Sequence, residues 1–229
     1  MTGVVKDTTF IVIPAFNEER AIGVVVAELK VLWPHLIVVD DGSHDATASV
    51  AQQSGATVLR HAVNRGQGAA LQTGITHALR RGAQIVVTFD SDGQHRAEDV
   101  ATLVAPIEEG RADVVLGSRF LGSTENMPAL RGLLLHAATA FTRMTSGARV
   151  TDAHNGLRAF SRAAASRLEI RLDRMAHASE IVDQVAEHGA RCVEVPVHVR
   201  YTDYSKRKGQ TGLGAFRVLL DYLWGRWLR

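Results

Sequence analysis

Two aspartates, Asp90 and Asp92, follow directly on the apolar run Ile85–Phe89. A short run of β-branched and aromatic residues reads as a buried parallel strand. Open α/β sheets place their ligands beyond the carboxyl ends of such strands. Carboxylates one residue apart repel each other, so the pair makes chemical sense with a cation between it and a polyanion. Mg²⁺ or Mn²⁺ takes oxygen ligands and is commonly shared between one or two carboxylates and substrate phosphates. Gln94 adds a neutral oxygen and His95 a nitrogen. Read without its surroundings, Asp92-Gly93 is also an ordinary turn pair.

Three more polar clusters end apolar runs in the same way: Asn17/Glu18 after Phe10–Ile13, Asp40/Asp41 after Leu36–Val39, and Ser118/Arg119 after Val114–Leu116. Asp40 or Asp41 can accept from a base or a ribose hydroxyl, and Arg119 can fork onto phosphate oxygens. The loop Asn64-Arg65-Gly66-Gln67-Gly68 opens a helix and lets backbone approach an anion at its N-terminus. Leu71 stands where a dinucleotide fingerprint needs its third glycine, and no Gly-Lys-Ser/Thr follows, so hydride transfer and simple nucleotide hydrolysis are disfavoured.

The elements that position these residues alternate. Helical spacing is expected over 18–32, 46–54, 69–81 and 97–109, with Asp45 as N-cap and Gly55 as terminator of the second. The strands are the four apolar runs plus 57–59. Pro14 is expected to end the first strand. Strand–helix alternation over the first 120 residues predicts a doubly wound, mostly parallel sheet flanked by helices. After Arg119 the pattern predicts a loop to Pro128 and an apolar helix over 130–144. A polar turn follows at 151–156, then helices over 161–168 and 178–188. A late strand over 192–199 is expected at an edge, because it carries Pro196.

A chain of 229 residues suits one large α/β domain. Its net charge of +2 gives no case for nucleic acid as a partner. From Arg200 onward seven basic residues meet two acidic ones, so the tail is where an anionic surface would be met. A single cysteine, Cys192, excludes a disulfide framework and fits a reducing compartment; it is expected to be buried and inert. No segment has the roughly 20 apolar residues that span a bilayer. Phe216, Leu219, Leu220, Leu223 and Trp227 recur at helical spacing behind Lys206-Arg207-Lys208, which suits a helix lying on an anionic membrane surface. The division expected is a domain over 1–200 and a basic loop with an amphipathic helix over 201–229. Localisation is expected to be cytoplasmic, peripheral at the inner face of the membrane.

Six motifs in order resemble family 2 glycosyltransferases of the GT-A fold, in the dolichol-phosphate mannose synthase and polyprenyl-phosphate glycosyltransferase branch. They are Ile13-Pro14-Ala15-Phe16-Asn17-Glu18, Val38-Val39-Asp40-Asp41-Gly42-Ser43, Asn64-Arg65-Gly66-Gln67-Gly68, Phe89-Asp90-Ser91-Asp92-Gly93-Gln94-His95, Gly117-Ser118-Arg119-Phe120 and Asp152-Ala153-His154-Asn155-Gly156-Leu157-Arg158. The resemblance implies a nucleotide pocket of Pro14, Ala15, Asn17, Glu18, Asp40, Asp41, Gly66, Gln67, Asp90 and Ser91. It implies a divalent metal, Mg²⁺ or Mn²⁺, on Asp90, Asp92 and Gln94. Arg119 and Arg131 would meet the acceptor phosphate, with Asn155 and Arg158 on the sugar side. Gln67 stands where the family often has lysine.

The implied reaction moves a sugar from a UDP-, GDP- or dTDP-sugar to a polyprenyl phosphate with inversion of configuration. A phosphate acceptor is already anionic; a hydroxyl acceptor would need a general base, for which Glu180 is the candidate, its plainer role being a solvated helix face. His95, His136, His154 and His177 lack zinc-ligand spacing and are taken as site lining or surface. Two other classes stay open: a non-catalytic nucleotide-sugar-binding subunit of a membrane complex, against which the intact Asp90/Asp92 pair speaks, and a sugar-phosphate nucleotidyltransferase, which expects a glycine-rich basic loop where Pro14–Glu18 stands. A membrane-protein partner and a homodimer are both compatible with the sequence.

Overall fold

The computed structural model describes residues 3–146, 150–172 and 176–201. The tail helix and the basic run at 206–208 lie outside these residues. A short helix, α1 (Gly3–Thr8), leads into β1 (Thr9–Ala15), which is buried at every position, as a strand covered on both faces must be. There follow α2 (Ile22–Leu32), β2 (His35–Asp40), α3 (Thr47–Gln53), β3 (Thr57–Arg60), α4 (Gln67–Arg80), β4 (Ile85–Thr88) and α5 (Asp99–Glu108). The second half runs through β5 (Val114–Glu125), α6 (Ala129–Ser146), β6 (Arg158–Ser161), α7 (Arg162–Ala165), α8 (Ala176–Glu187) and β7 (Cys192–Arg200).

The seven strands form one sheet in the order β3-β2-β1-β4-β6-β5-β7. Only β6 is antiparallel to its neighbours. Alternation along β1 divides the core. Ile11 and Ile13 pack with Val25, Val26 and Leu29 of α2 and Leu103 of α5 on one face; Phe10 and Val12 pack with Leu71 and Ile75 of α4 and Ile181 of α8 on the other. Strand order reverses between β1 and β4, and the crevice beyond their carboxyl ends is where an open sheet of this kind accepts a ligand.

Four expectations are corrected. β1 continues through Pro14 and Ala15, which pair with Val39 and Asp40 of β2. On its other side β4 pairs with β1 only as far as Val12, so the donor that Pro14 lacks has no strand to bond. The expected loop after Arg119 is instead the outer half of β5, paired with β7 through Glu125. Between the pairs Ser118↔Pro196 and Ser123↔His198, five steps along β5 match two along β7, a bulge that turns the Arg119 segment out of the ladder. The helix expected from Ser161 is preceded by β6, and its helical part, α7, is four residues long. Cys192 is exposed rather than buried. Its thiol is nonetheless pushed up to about 11, by the protein atoms packed around the sulfur and then by Glu194, so it stays a poor nucleophile.

Candidate active site

β4 delivers the acidic pair. Asp90 Oδ2 lies 3.2 Å from His95 Nε2, and Asp90 Oδ1 accepts from Gln67 Nε2 at 3.4 Å. Burial works to raise the Asp90 pKa, but the His95 hydrogen bond and the charges of His95, His177 and Arg119 outweigh it and hold the carboxyl below its ordinary range. Asp92 is the converse: burial, then the neighbouring charge of Asp90, push it up to about 6. Like charges in one buried turn separate in this way unless a cation shares them. The residues fit a divalent ion. Asp90 and Asp92 supply two carboxylates, and the Gln94 amide is buried beside them with its nitrogen unpartnered. A Cβ at Gly156 would meet both Asp90 carboxylate oxygens at 2.3 Å, so that position keeps room for them. Among the described residues no three His, Cys, Asp or Glu side chains converge as a metal cage.

The ends of β1 and β2 build the opposite wall. Asn17, at φ 52°, accepts from His44 N at 2.9 Å, and its own N–H donates to Ser43 Oγ at 2.9 Å, tying the two loops together. Glu18 N donates to Thr47 Oγ1 at 2.7 Å. Asp40 and Asp41 part company. Asp40 is fully buried, accepts from Ser43 N at 3.1 Å, pairs with Arg60 at 3.0 Å and does not reach the cavity. Asp41 does reach it. Its carboxylate accepts from Arg65 N and Gly66 N at 2.9 and 2.7 Å and meets His61 Nδ1 at 2.7 Å. Gly66 takes φ 93°, a left-handed conformation that glycine adopts without a Cβ penalty, and α4 begins at the next residue.

Basic groups close the remaining side. Arg119 is buried; Nε donates to Asp152 Oδ2 at 2.6 Å and Nη1 to Tyr201 Oη at 2.7 Å. Burial opposes its charge, but Asp152 and Tyr201 outweigh that and raise its pKa. Arg131 of α6 lies over the Tyr201 ring. Arg158 donates to the Asn155 and Ala153 carbonyls at 2.9 and 2.8 Å and leaves Nη1 without a partner. Burial lowers its pKa to about 10, so it remains cationic at neutral pH. The loop 151–152 that carries Asp152 is held by Glu194, which accepts from Thr151 N and Asp152 N at 2.8 and 3.0 Å.

These walls enclose a cavity of about 400 Å³. Of the residues expected to contact a nucleotide, it takes in Pro14, Ala15, Glu18, Asp41, Gly66 and Gln67. It also takes in Asp90, Ser91, Asp92, Gln94, Arg119, Arg131 and Arg158. Asn17, Asp40, Asn155 and Glu180 stand behind it. Asn155 is buried and accepts from Leu157 N at 2.9 Å. Glu180 is not on a solvated face: it is 1% exposed, and its Oε2 accepts from Arg171 N and Leu172 N at 3.1 and 2.8 Å. Sequence reasoning missed His61, Tyr201 and Glu194. Each acts on a residue distant in sequence, and none belongs to a motif. A larger, more open groove of about 1080 Å³ beside β3 and α4 contains neither carboxylate of the pair.

The family model described as glycosyl transferase family 2 matches residues 10–168. The chain is 32% identical over 236 residues to the UDP-N-acetylglucosamine–dolichyl-phosphate N-acetylglucosaminyltransferase of Methanococcus voltae, covering 93% of this chain and 94% of that one. It is 30% identical over 202 residues to the polyprenol monophosphomannose synthase of Mycolicibacterium smegmatis, covering 82% and 76%. The glucosyl-3-phosphoglycerate synthase of Mycobacterium tuberculosis, solved in complex with Mn²⁺ and uridine-diphosphate-glucose, matches the fold with a TM-score of 0.76 at 26% identity, over 97% of this chain and 80% of that one. A GT-A sheet with its acidic turn at the β1–β4 crevice, and relatives of this kind along nearly its whole length, make this chain a glycosyltransferase belonging to glycosyl transferase family 2.

Proposed function

We propose that the protein transfers a sugar from a nucleoside-diphosphate sugar to a polyprenyl phosphate, inverting the anomeric configuration. The observation that carries this reading is the composition of one cavity: the Asp90–Asp92 turn and the guanidinium groups of Arg119, Arg131 and Arg158 all open onto it. The acids suit a cation on the leaving diphosphate, and the arginines suit a second phosphate, that of the acceptor. The two relatives named above, for dolichyl and polyprenol phosphates, support the same acceptor class.

Asp90, Asp92 and Gln94 would hold Mg²⁺ or Mn²⁺, which would supply charge neutralisation for the departing nucleoside diphosphate. The protein does the rest by positioning. Asp41 fixes the Gly66 turn, so the backbone N-terminus of α4 faces the nucleotide side of the cavity. Pro14, Ala15 and Glu18 border the same space. Arg119, locked by Asp152 and Tyr201, and Arg131 hold the acceptor phosphate; its oxyanion attacks the anomeric carbon from the face opposite the departing diphosphate. No general base is required. Glu180, the candidate base for a hydroxyl acceptor, has its carboxylate turned to backbone N–H groups outside the cavity lining.

A lipid-linked acceptor places the protein at a membrane surface. Among the described residues no helix is long and apolar enough to cross a membrane. The experiment is a transfer assay with labelled UDP-, GDP- and dTDP-sugars, Mg²⁺ or Mn²⁺, and undecaprenyl phosphate, followed by counting of the organic phase. Label entering that phase only with metal supports the reading; donor hydrolysis or binding with no lipid product refutes it.

A further inference from the structure

We infer that the groove beside β3 and α4 is a second anion-binding site, suited to a soluble ligand that carries two or more phosphate groups. The groove has a volume of about 1080 Å³ and lies apart from the Asp90–Asp92 turn. Among the described residues, Arg60, Arg65, Arg80 and Arg171 line it with His61 and His77, and no acidic residue does. The whole chain has a net charge of only +2, so this one-sided lining is a local concentration of cations. Two of the arginines are already engaged: Arg60 Nε pairs with the buried Asp40 at 3.0 Å, and Arg171 pairs with Glu169. Among the described residues the guanidinium groups of Arg65 and Arg80, both exposed, have no hydrogen-bond or ion-pair partner. They are available to an incoming anion.

The fold explains why these groups meet. Leu71, Ile75 and Ala78 turn one face of α4 to the core, and Thr73, Thr76, His77 and Arg80 recur on its other face at helical spacing. β3 is the edge strand of the sheet. His61, just beyond it, lies with Nε2 3.0 Å from Thr73 Oγ1 and ties the strand end to the helix. Gln72 Oε1 accepts from Ile170 N at 2.8 Å, which anchors the segment carrying Arg171. Asn64 and Gly66 line the active-site cavity, whereas Arg65 between them lines the groove. The ligand class follows from the lining. From Gln67 to Arg80 α4 rises roughly 20 Å, so the cations can meet several phosphates rather than one. The planar fork of arginine matches phosphate oxygens. None of the large apolar side chains exposed among the described residues lines the groove, so it offers nothing to an acyl chain and suits a soluble anion.

The test is calorimetric titration of the metal-free full chain with pyrophosphate and with tripolyphosphate. Salt is held at about 0.15 M, where attraction between exposed charges is screened beyond about 8 Å. The probes are Arg80→Gln, Arg171→Gln and the double variant. Arg81→Gln, an exposed neighbour outside the groove lining, controls for overall charge, and Arg131→Gln controls for binding in the active-site cavity. All the groove probes are exposed, so melting temperature should not change. The expected result is tripolyphosphate binding that weakens about tenfold in either single variant, further in the double variant, and not in Arg81→Gln or Arg131→Gln. Groove variants that bind like the wild type overturn the inference. An equal loss in Arg81→Gln overturns it as diffuse attraction, and a loss confined to Arg131→Gln overturns it by placing the anion in the active-site cavity. A wild type that binds neither anion also overturns it. If such a protein binds phosphatidylglycerol vesicles or polyglutamate, and the double variant does not, the groove is a lipid or acidic-peptide contact instead.

Discussion

The guanidinium of Arg131 lies 4.9 Å from the centroid of the Tyr201 ring, and the Tyr201 hydroxyl accepts from Arg119 Nη1 at 2.7 Å. One side chain just beyond β7 thus holds two arginines from β5 and α6 at the same cavity. Removing the hydroxyl strands a buried guanidinium N–H, which costs about 1–3 kcal/mol. Tyr201→Phe keeps the ring under Arg131. It should raise the acceptor KM by about three- to tenfold and leave the donor KM unchanged. Tyr201→Ala, which also frees Arg131, should do more. Steady-state kinetics with each substrate varied in turn checks the split.

Two opposing groups act on stability between pH 4 and 6. His154 is pulled down to about 4, chiefly by burial and then by Arg158; unfolding lets it take a proton below its ordinary pKa of 6.5. It therefore contributes stability that is complete above that value and is lost as pH falls toward 4. Asp92, raised to about 6, works in reverse: between its ordinary 3.8 and 6 the folded protein holds the extra proton, so its contribution declines as pH rises. In the metal-free protein the two slopes nearly cancel from pH 4 to 6. His154→Gln should leave stability falling with pH by about 1.4 kcal/mol per unit, and Asp92→Asn should leave it rising by about the same. Urea denaturation in a chelator at several pH values measures both slopes.

Gly156 tests the space around the acidic pair. A methyl group there would sit 2.3 Å from the Asp90 carboxylate oxygens, so Gly156→Ala must displace Asp90. Mn²⁺ affinity in the presence of nucleoside diphosphate should fall by about 10–100-fold, while affinity for the free nucleoside changes little. Calorimetric titration distinguishes these outcomes.

Glu180→Gln separates the two acceptor classes. The carboxylate holds the backbone of residues 171 and 172, so losing its charge should cost about 1–2 kcal/mol of stability. Transfer measured below the lowered melting point should stay within about threefold of wild type, since no base is removed. Loss of transfer in a folded Glu180→Gln protein would favour a hydroxyl acceptor instead.

The parallel half of the fold was legible because its strands are short β-branched runs and its helices are periodic; Ile85–Val87 and Ile22–Leu29 signal themselves. β6 was not, because Arg158–Ser161 is four residues long and continues without a break into helix-forming alanines. The outer half of β5 was missed because its partner, β7, lies some 75 residues away, and its mixed polarity reflects an exposed margin. At the site, motif residues reach the cavity where a strand end aims them, as at Asp41, Asp90 and Arg119. Spacing alone could not separate Asp40 from Asp41, whose side chains leave β2 on opposite sides, nor announce Tyr201, which matters only through two arginines it meets in space.

A lipid-linked phosphate as acceptor is what distinguishes the proposed reaction from transfer to a hydroxyl. The most direct measurement offers wild type and Asp92→Ala the same labelled donor with undecaprenyl phosphate, with undecaprenol and with a free saccharide, each with and without Mn²⁺. Label is expected on undecaprenyl phosphate alone, dependent on Mn²⁺ and abolished in Asp92→Ala. Transfer to the undecaprenol or saccharide hydroxyl, or transfer that survives loss of both metal and Asp92, would contradict it.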